Sequence, residues 1–255
     1  ASPAISIAPK QTKTIRADIF AGPAIAKQLE ALAPHLELTV DYGWLWFIGK
    51  FLFMLLDFFD GLVNNWGWSI VLLTLFIKLV FFPLSNKGYI SMAKMKILQP
   101  QITALKAQYG EDKQSFTKAM MKLYKQEKTN PFGGCLPLLI QAPIFMALYW
   151  VLMESVQLRQ AGFIFWIHDL SLRDPYYILP VINGIIMFVQ QKMQPPPPDP
   201  TQAKVMMFLP VVFTVIFLGL PSGLVLYWIV QNLINVCHQR WVLKKYERKH
   251  KLARA

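Results

Sequence analysis

Long apolar runs alternate with short polar ones along most of this chain. Residues 65–84, 132–156, 175–193, 205–220 and 222–240 are built mainly from aliphatic and aromatic side chains. A helix needs about 20 such residues to cross the hydrocarbon of a bilayer, so the pattern predicts five membrane-spanning helices. The fourth run is short and the third carries internal polar groups. The run "WLWFIGKFLFMLLDFFDGLVNN" differs in kind. At about 100° per residue, Lys50, Asp57, Asp60 and Asn64 share one side of a helix, narrowed by Trp46 and Phe53. A helix lying in the outer interface accommodates these charges better than a sixth span would.

Between the first two runs, residues 85–130 show helical periodicity with a break. "EDK" at 111–113, directly after Gly110, marks a turn. Phe116, Ala119, Met120 and Leu123 stripe the arm that follows it; Met92, Met95, Ile102 and Leu105 partly stripe the arm before it. This is the pattern of a helical hairpin, with Pro100 expected to kink its first arm. A self-packed pair accounts for the apolar stripes, while the lysines would equally attract anionic headgroups or ribosomal RNA. The run "PPPPDP" at 195–200 reads as a short stiff loop.

Charge orients these elements. Residues 85–130 carry nine lysines against Glu111, Asp112 and Glu127, and residues 238–255 carry seven Lys/Arg against Glu247. Residues 159–174 balance Arg159 and Arg173 with Asp169 and Asp174. Cytoplasmic loops near membrane spans hold the Lys/Arg excess. The hairpin and the 241–255 tail are therefore expected in the cytoplasm, and five spans then place residues 1–60 outside. Net charge of +12 with 55% hydrophobic residues fits this class. Residues 1–40 read as a soluble segment, with a possible strand near "KTIRADIF" and a helix near 22–33. Cys135 and Cys237 are far apart, in no metal-binding or redox spacing, and are expected to be small core residues.

The polar residues inside the spans cluster at one depth. Lys78 lies in "SIVLLTLFIKLVFFPL", nine residues before Lys87, with Thr74 one turn away on its face. Tyr227, Gln231, Asn235 and His238 recur at helical spacing toward the inner end of the last span. Gln190 and Gln191 occupy the inner end of the third span; Gln141 and Asn183 fall near mid-depth. The outer halves of the spans are almost wholly apolar. A channel or transporter needs polar lining along a through-path. This distribution predicts a cavity open to the cytoplasm and closed to the outside, in which Lys78 is hydrated. The competing reading is that Lys78 snorkels, with its stem along lipid and its ammonium at the headgroups. Asn183 and Asn232 read better as interhelical hydrogen-bond glue.

Enzyme chemistry finds little purchase. There is no G-x-x-x-x-G-K-[ST], H-E-x-x-H or G-x-S-x-G motif. A Ser–Lys pair would need a serine within reach of Lys78, and Ser85 is two helical turns along the chain, about 10 Å. No catalytic residue, metal or cofactor is expected.

At "NPFGGCLPLLIQAPIFMALYW" and "LPSGLVLYWIVQN" the chain resembles the YidC membrane protein insertases, and "ISMAKMKILQPQI" and "IHDLSLRDPYYILP" extend the resemblance over about residues 35–245. The resemblance implies an all-α polytopic membrane protein of the bacterial inner membrane. Its five helices would surround a hydrophilic groove open to the cytoplasm, with a cytoplasmic hairpin and an outer interfacial helix. Residues 1–40 would be the end of a periplasmic domain, 41–64 the interfacial helix and 65–84 the first span. Residues 131–240 would hold spans two to five. In such proteins a groove cation attracts a polar substrate segment while apolar surfaces guide the following helix into lipid. Carried onto this sequence, the groove is Lys78 with Thr74 and Gln141, joined by Gln190, Tyr227 and Gln231. The apolar guide is Ile144, Phe145 and Leu148 with Ile216, Leu220 and Trp228. Two departures stand out: lysine replaces the usual arginine at 78, losing its planar fork, and Trp228 stands where tyrosine is expected. The implied partners are nascent membrane proteins and the lipid bilayer, with a Sec-type translocon and the ribosome as further candidates. No small-molecule substrate is expected, although a small-solute or ion transporter is the alternative class.

Overall fold

The computed structural model describes residues 43–110, 112–130, 136–197 and 199–252, and before them 20–23, 25–33 and positions 9, 11, 12, 14 and 36. The chain divides into two units, Ala1–Thr39 and Val40–Ala255. The first contributes one short helix, α1 (Ala26–Leu32), inside the stretch where a helix is expected. The strand expected near "KTIRADIF" and Cys135 lie outside the described residues.

The second unit is helical, with no named strand among the described residues. Its helices are α2 (Trp46–Val63), α3 (Trp66–Val80), α4 (Phe82–Tyr109), α5 (Lys113–Gln126), α6 (Leu136–Glu154), α7 (Ile178–Met193), α8 (Pro200–Phe217) and α9 (Ser222–Leu252). α3 begins because the Asn65 side chain accepts from Trp68 N at 3.1 Å, capping an otherwise orphan amide. The apolar run expected over 65–84 does not stay one helix. Pro83 in the first turn of α4 has no N–H to continue the ladder, and α3 and α4 meet at Phe81 with a 69° bend. Among the described residues no single helix is long and apolar enough to cross a membrane; the bent α3–α4 pair meets that length and composition only together.

α9 is the hub. It packs against α3, α4, α6 and α7, while α2 packs on α3 and α6, and α8 on α7. The main core joins Leu52 and Leu56 of α2, Ile70 and Leu73 of α3, Leu148 and Leu152 of α6 and Leu224 to Tyr227 of α9. The segment before α7 is tied to the start of α9: Ser222 N and Oγ both donate to Leu172 O at 2.7 Å, and Gly223 N donates to Leu170 O at 2.9 Å. Asp174, 1% exposed, accepts from Trp166 Nε1, Tyr176 N and Leu179 N and so anchors the start of α7. α7 and α8 approach closely at Gly184, where a Cβ would lie 2.2 Å from Thr214 Oγ1.

The expected hairpin forms, with its turn where Gly110 adopts a positive φ of 56°. Asp112 caps α5 by accepting from Gln114 N and Ser115 N at 3.1 Å, and these hydrogen bonds, the Ser115 ones foremost, hold its carboxyl below the ordinary range. Pro100 sits inside α4, which runs on to Tyr109. The hairpin is not simply self-packed. Tyr89, Met92, Met95, Leu98 and Ile102 of α4 share a core with Tyr124 of α5 and with Val242 and Leu243 at the end of α9. Lys96 and Glu247 add an exposed ion pair at 3.7 Å between α4 and α9.

The outside of this unit is unusually apolar. Phe47, Phe51, Met54, Phe58 and Leu62 form an exposed stripe along α2. On α8, Val205, Met207, Phe208, Val211, Val212, Val215 and Ile216 are all more than half exposed. Apolar patches of that extent mark a surface meant for lipid or a partner. Cys237 is a free, exposed cysteine and not the core residue expected.

Candidate functional site

α9 carries its polar residues on the side that meets α3, α4, α6 and α7, and two separate polar groups result. The first joins α6 and α9. Gln231 Nε2 donates to Gln141 Oε1, and Gln141 Nε2 donates to the Tyr227 hydroxyl. All three side chains are buried, Tyr227 completely. Gln231 Oε1 has no protein partner. A second α9 contact, Asn232 Nδ2 to Asn183 Oδ1 at 3.0 Å, ties α9 to α7, the interhelical role expected for this pair. Gln190 is half-buried on α7, seven residues beyond Asn183 and on the same face.

The second group surrounds Lys78. It lies in the last turn of α3, where the carbonyl end of a helix favours a cation. Its Nζ donates to Asn235 Oδ1 at 2.7 Å, and the Tyr89 hydroxyl donates to the same oxygen at 2.9 Å. Beside them the His238 ring stacks on Phe82 at 4.5 Å and meets Tyr89 edge-on at 4.9 Å, with Nε2 3.3 Å from Asn86 Oδ1. Lys78 is half-buried, and among the described residues no carboxylate lies within ion-pair distance of it.

These placements differ in detail from the sequence expectation. Thr74 is buried and its hydroxyl donates to Ile70 O at 2.7 Å within α3, so it does not partner Lys78. Gln141 belongs to the Tyr227–Gln231 network, while Lys78 is held by Asn235. Of the apolar residues, Ile144 and Leu148 are buried in the core, whereas Ile216 is 53% exposed. Phe145 meets Trp228 edge-on at 4.8 Å, and Trp228 meets Phe217 at 5.4 Å, with Leu220 packed at the edge of the same core. Sequence reasoning missed Phe217 and Tyr89. Tyr89 was hidden because it sits past the bend at Phe81, in a segment read as wholly cytoplasmic.

A helical unit with an apolar exterior, buried polar networks at its hub and a lysine at a helix end has the features of a membrane-embedded protein. Comparison with known families narrows this. Residues 58–250 match the 60Kd inner membrane protein family and residues 1–55 the YidC periplasmic domain. The chain belongs to the 60Kd inner membrane protein family. It is 52% identical over 253 residues to the membrane protein insertase YidC of Ectopseudomonas mendocina, covering 99% of this chain and 44% of that protein. It is 55% identical over 246 residues to the membrane protein insertase YidC of Francisella tularensis subsp. novicida, covering 96% of this chain and 45% of that protein. A solved structure described as an active YidC insertase with its first transmembrane domain resolved aligns with a TM-score of 0.60 at 33% identity, covering 74% of this chain and 45% of the other. The chain thus spans under half the length of the curated relatives it matches.

Proposed function

We propose that this chain inserts newly made membrane proteins into the bacterial inner membrane and helps them fold. The observation that carries this reading is a half-buried ammonium, Lys78, with no carboxylate partner among the described residues, set beside buried polar networks and inside an apolar exterior. A hydrophilic groove formed by α3, α6, α7 and α9 takes up a short polar segment of the substrate. Lys78, Thr74, Gln141, Gln190, Tyr227 and Gln231 belong to it. The apolar helix that follows passes along Phe145, Trp228, Leu220 and the exposed Ile216 into lipid, whose burial of that helix drives the step. Ile144 and Leu148 support this surface from the core. The insertase names of the relatives favour this reading over a transporter.

Five spans deliver this arrangement: α3 with the start of α4, then α6, α7, α8 and the first part of α9, with α2 in the outer interface. Residues 1–60 and the 159–174 loop lie outside, and the hairpin, the 194–203 loop and the tail lie in the cytoplasm. In a chain whose Cys135 and Cys237 are replaced by serine, Lys113→Cys is expected to react with an impermeant maleimide only after the membrane is opened. Labelling from the periplasmic face would overturn the orientation.

Reconstitution decides the function. Purified full-length protein in sealed liposomes is expected to insert a single-span substrate supplied during synthesis, with no accompanying ion flux. Flux without insertion would instead establish the transporter class.

A further inference from the structure

Every element that meets at Lys78 contributes a polar group to one atom. The ammonium of α3 and the Tyr89 hydroxyl of α4 both donate to Oδ1 of Asn235 on α9, at 2.7 and 2.9 Å. That oxygen is the point where three helices are tied together. Tyr89 is 3% exposed and its ring is held by His238, so the acceptor cannot drift without losing two bonds. The chemistry of the acceptor is the informative part. A carboxylate here would bind the ammonium more strongly but would cancel its field. An amide holds it in place and leaves the unit charge intact. The second donor, Tyr89, also draws on the oxygen's lone pairs, which weakens its hold on Lys78 and keeps that bond exchangeable.

We propose that Asn235 is a positioning residue that holds the Lys78 ammonium at the α3–α4–α9 junction without neutralising it, so that it can pair with an acidic side chain of the segment being moved. This rests on the insertase reading above. The acid of the substrate takes the place of the Asn235 oxygen, forming a charge-assisted bond, and the amide recovers the ammonium when that acid leaves. Selectivity for acidic leading segments is therefore set by residue 235 as well as by residue 78.

Two readouts on full-length protein separate this proposal from the insertase reading. The first is the rate at which an amine-reactive acetylating reagent modifies Lys78 in nanodiscs, followed by mass spectrometry. Asn235→Leu removes the acceptor and is expected to speed modification about threefold. Asn235→Asp places a carboxylate on the ammonium and is expected to slow it about tenfold. The second readout is insertion into liposomes of one single-span substrate with an acidic or a neutral leading segment. Asn235→Asp is expected to lower the acidic case about fivefold and the neutral one by much less, a split that a merely structural role would not produce. Unchanged modification rates in both variants overturn the proposal. So does wild-type insertion of the acidic substrate by Asn235→Asp where Lys78→Glu impairs it. If Lys78→Glu has no effect on insertion either, the electrostatic reading of the insertase fails, and the modification rates alone decide the role of Asn235. Should both Asn235 variants fail to accumulate, Tyr89→Phe decides: it leaves the oxygen to Lys78 alone and is expected to slow modification about twofold, and an unchanged rate overturns the proposal.

Discussion

Replacing Lys78 with glutamate is expected to impair most the insertion of substrates whose leading segment is acidic, with neutral leading segments affected least. At roughly 6 Å and an effective dielectric of 20, two unit charges interact by about 3 kcal/mol, and reversing one changes the sign of that interaction. Water and salt in a hydrated groove reduce it to about 1 kcal/mol, enough for selective recruitment and too little to matter for a strongly hydrophobic substrate. The variant should still fold. Among the described residues Lys78 has no carboxylate partner to lose, and the Tyr89 hydroxyl, now donating to Asn235, can turn to the new carboxylate. Lys78→Arg should keep activity, because the acceptor at Asn235 is a single oxygen and makes no use of a planar fork. Insertion of one substrate with acidic, neutral and basic leading segments is the measurement. Equal loss of all three in a folded, abundant protein would refute electrostatic recruitment; no loss in any of them would leave Lys78 a snorkelling side chain.

The helices were legible wherever the pattern had one meaning. The turn at Gly110 and the end of α7 at Met193 were readable from local chemistry, whereas α8 begins at Pro200, five residues before the apolar run that marked it. The apolar period alone could not reveal the bend at Phe81. It comes from one missing N–H at Pro83 in a run whose hydropathy does not change. That bend also explains why Tyr89 was not expected near Lys78: an unbroken helix leaves Tyr89 remote, whereas the turn brings it back to the junction with α9. Thr74 lies before the bend, and its hydroxyl is taken up by Ile70 O instead. Pairing of the polar residues was not readable, because spacing on one helix says nothing of which neighbour it faces. Gln141 and Lys78 were expected together and instead serve different networks. The apolar residues divide for the same reason. Sequence marks Leu148 and Ile216 as equally apolar, and only packing makes one core and the other surface.

Gln141→Leu is expected to be the most destabilising of the single substitutions considered, and to impair insertion of every substrate alike. The Gln141 amide is both donor and acceptor in a closed chain: it receives from Gln231 and gives to Tyr227. Leucine fills the volume but leaves Gln231 Nε2 without its acceptor, in a residue whose Oε1 already has no protein partner. The Tyr227 hydroxyl loses its donor at a completely buried position. Stranding buried polar groups costs about 1–3 kcal/mol each, and a network loses more than its separate bonds, so a loss of roughly 3 kcal/mol follows for the whole change. Gln231→Leu should cost less, because it removes the unpartnered oxygen along with the donor. The double variant should cost less than the sum, since the second substitution removes a group the first had stranded. Unfolding in detergent micelles measures all three. Additive losses would mean the side chains do not act as one network. A Gln141→Leu protein within about 0.5 kcal/mol of the parent would mean that hydration of the groove, and not the α6–α9 hydrogen bonds, satisfies these groups.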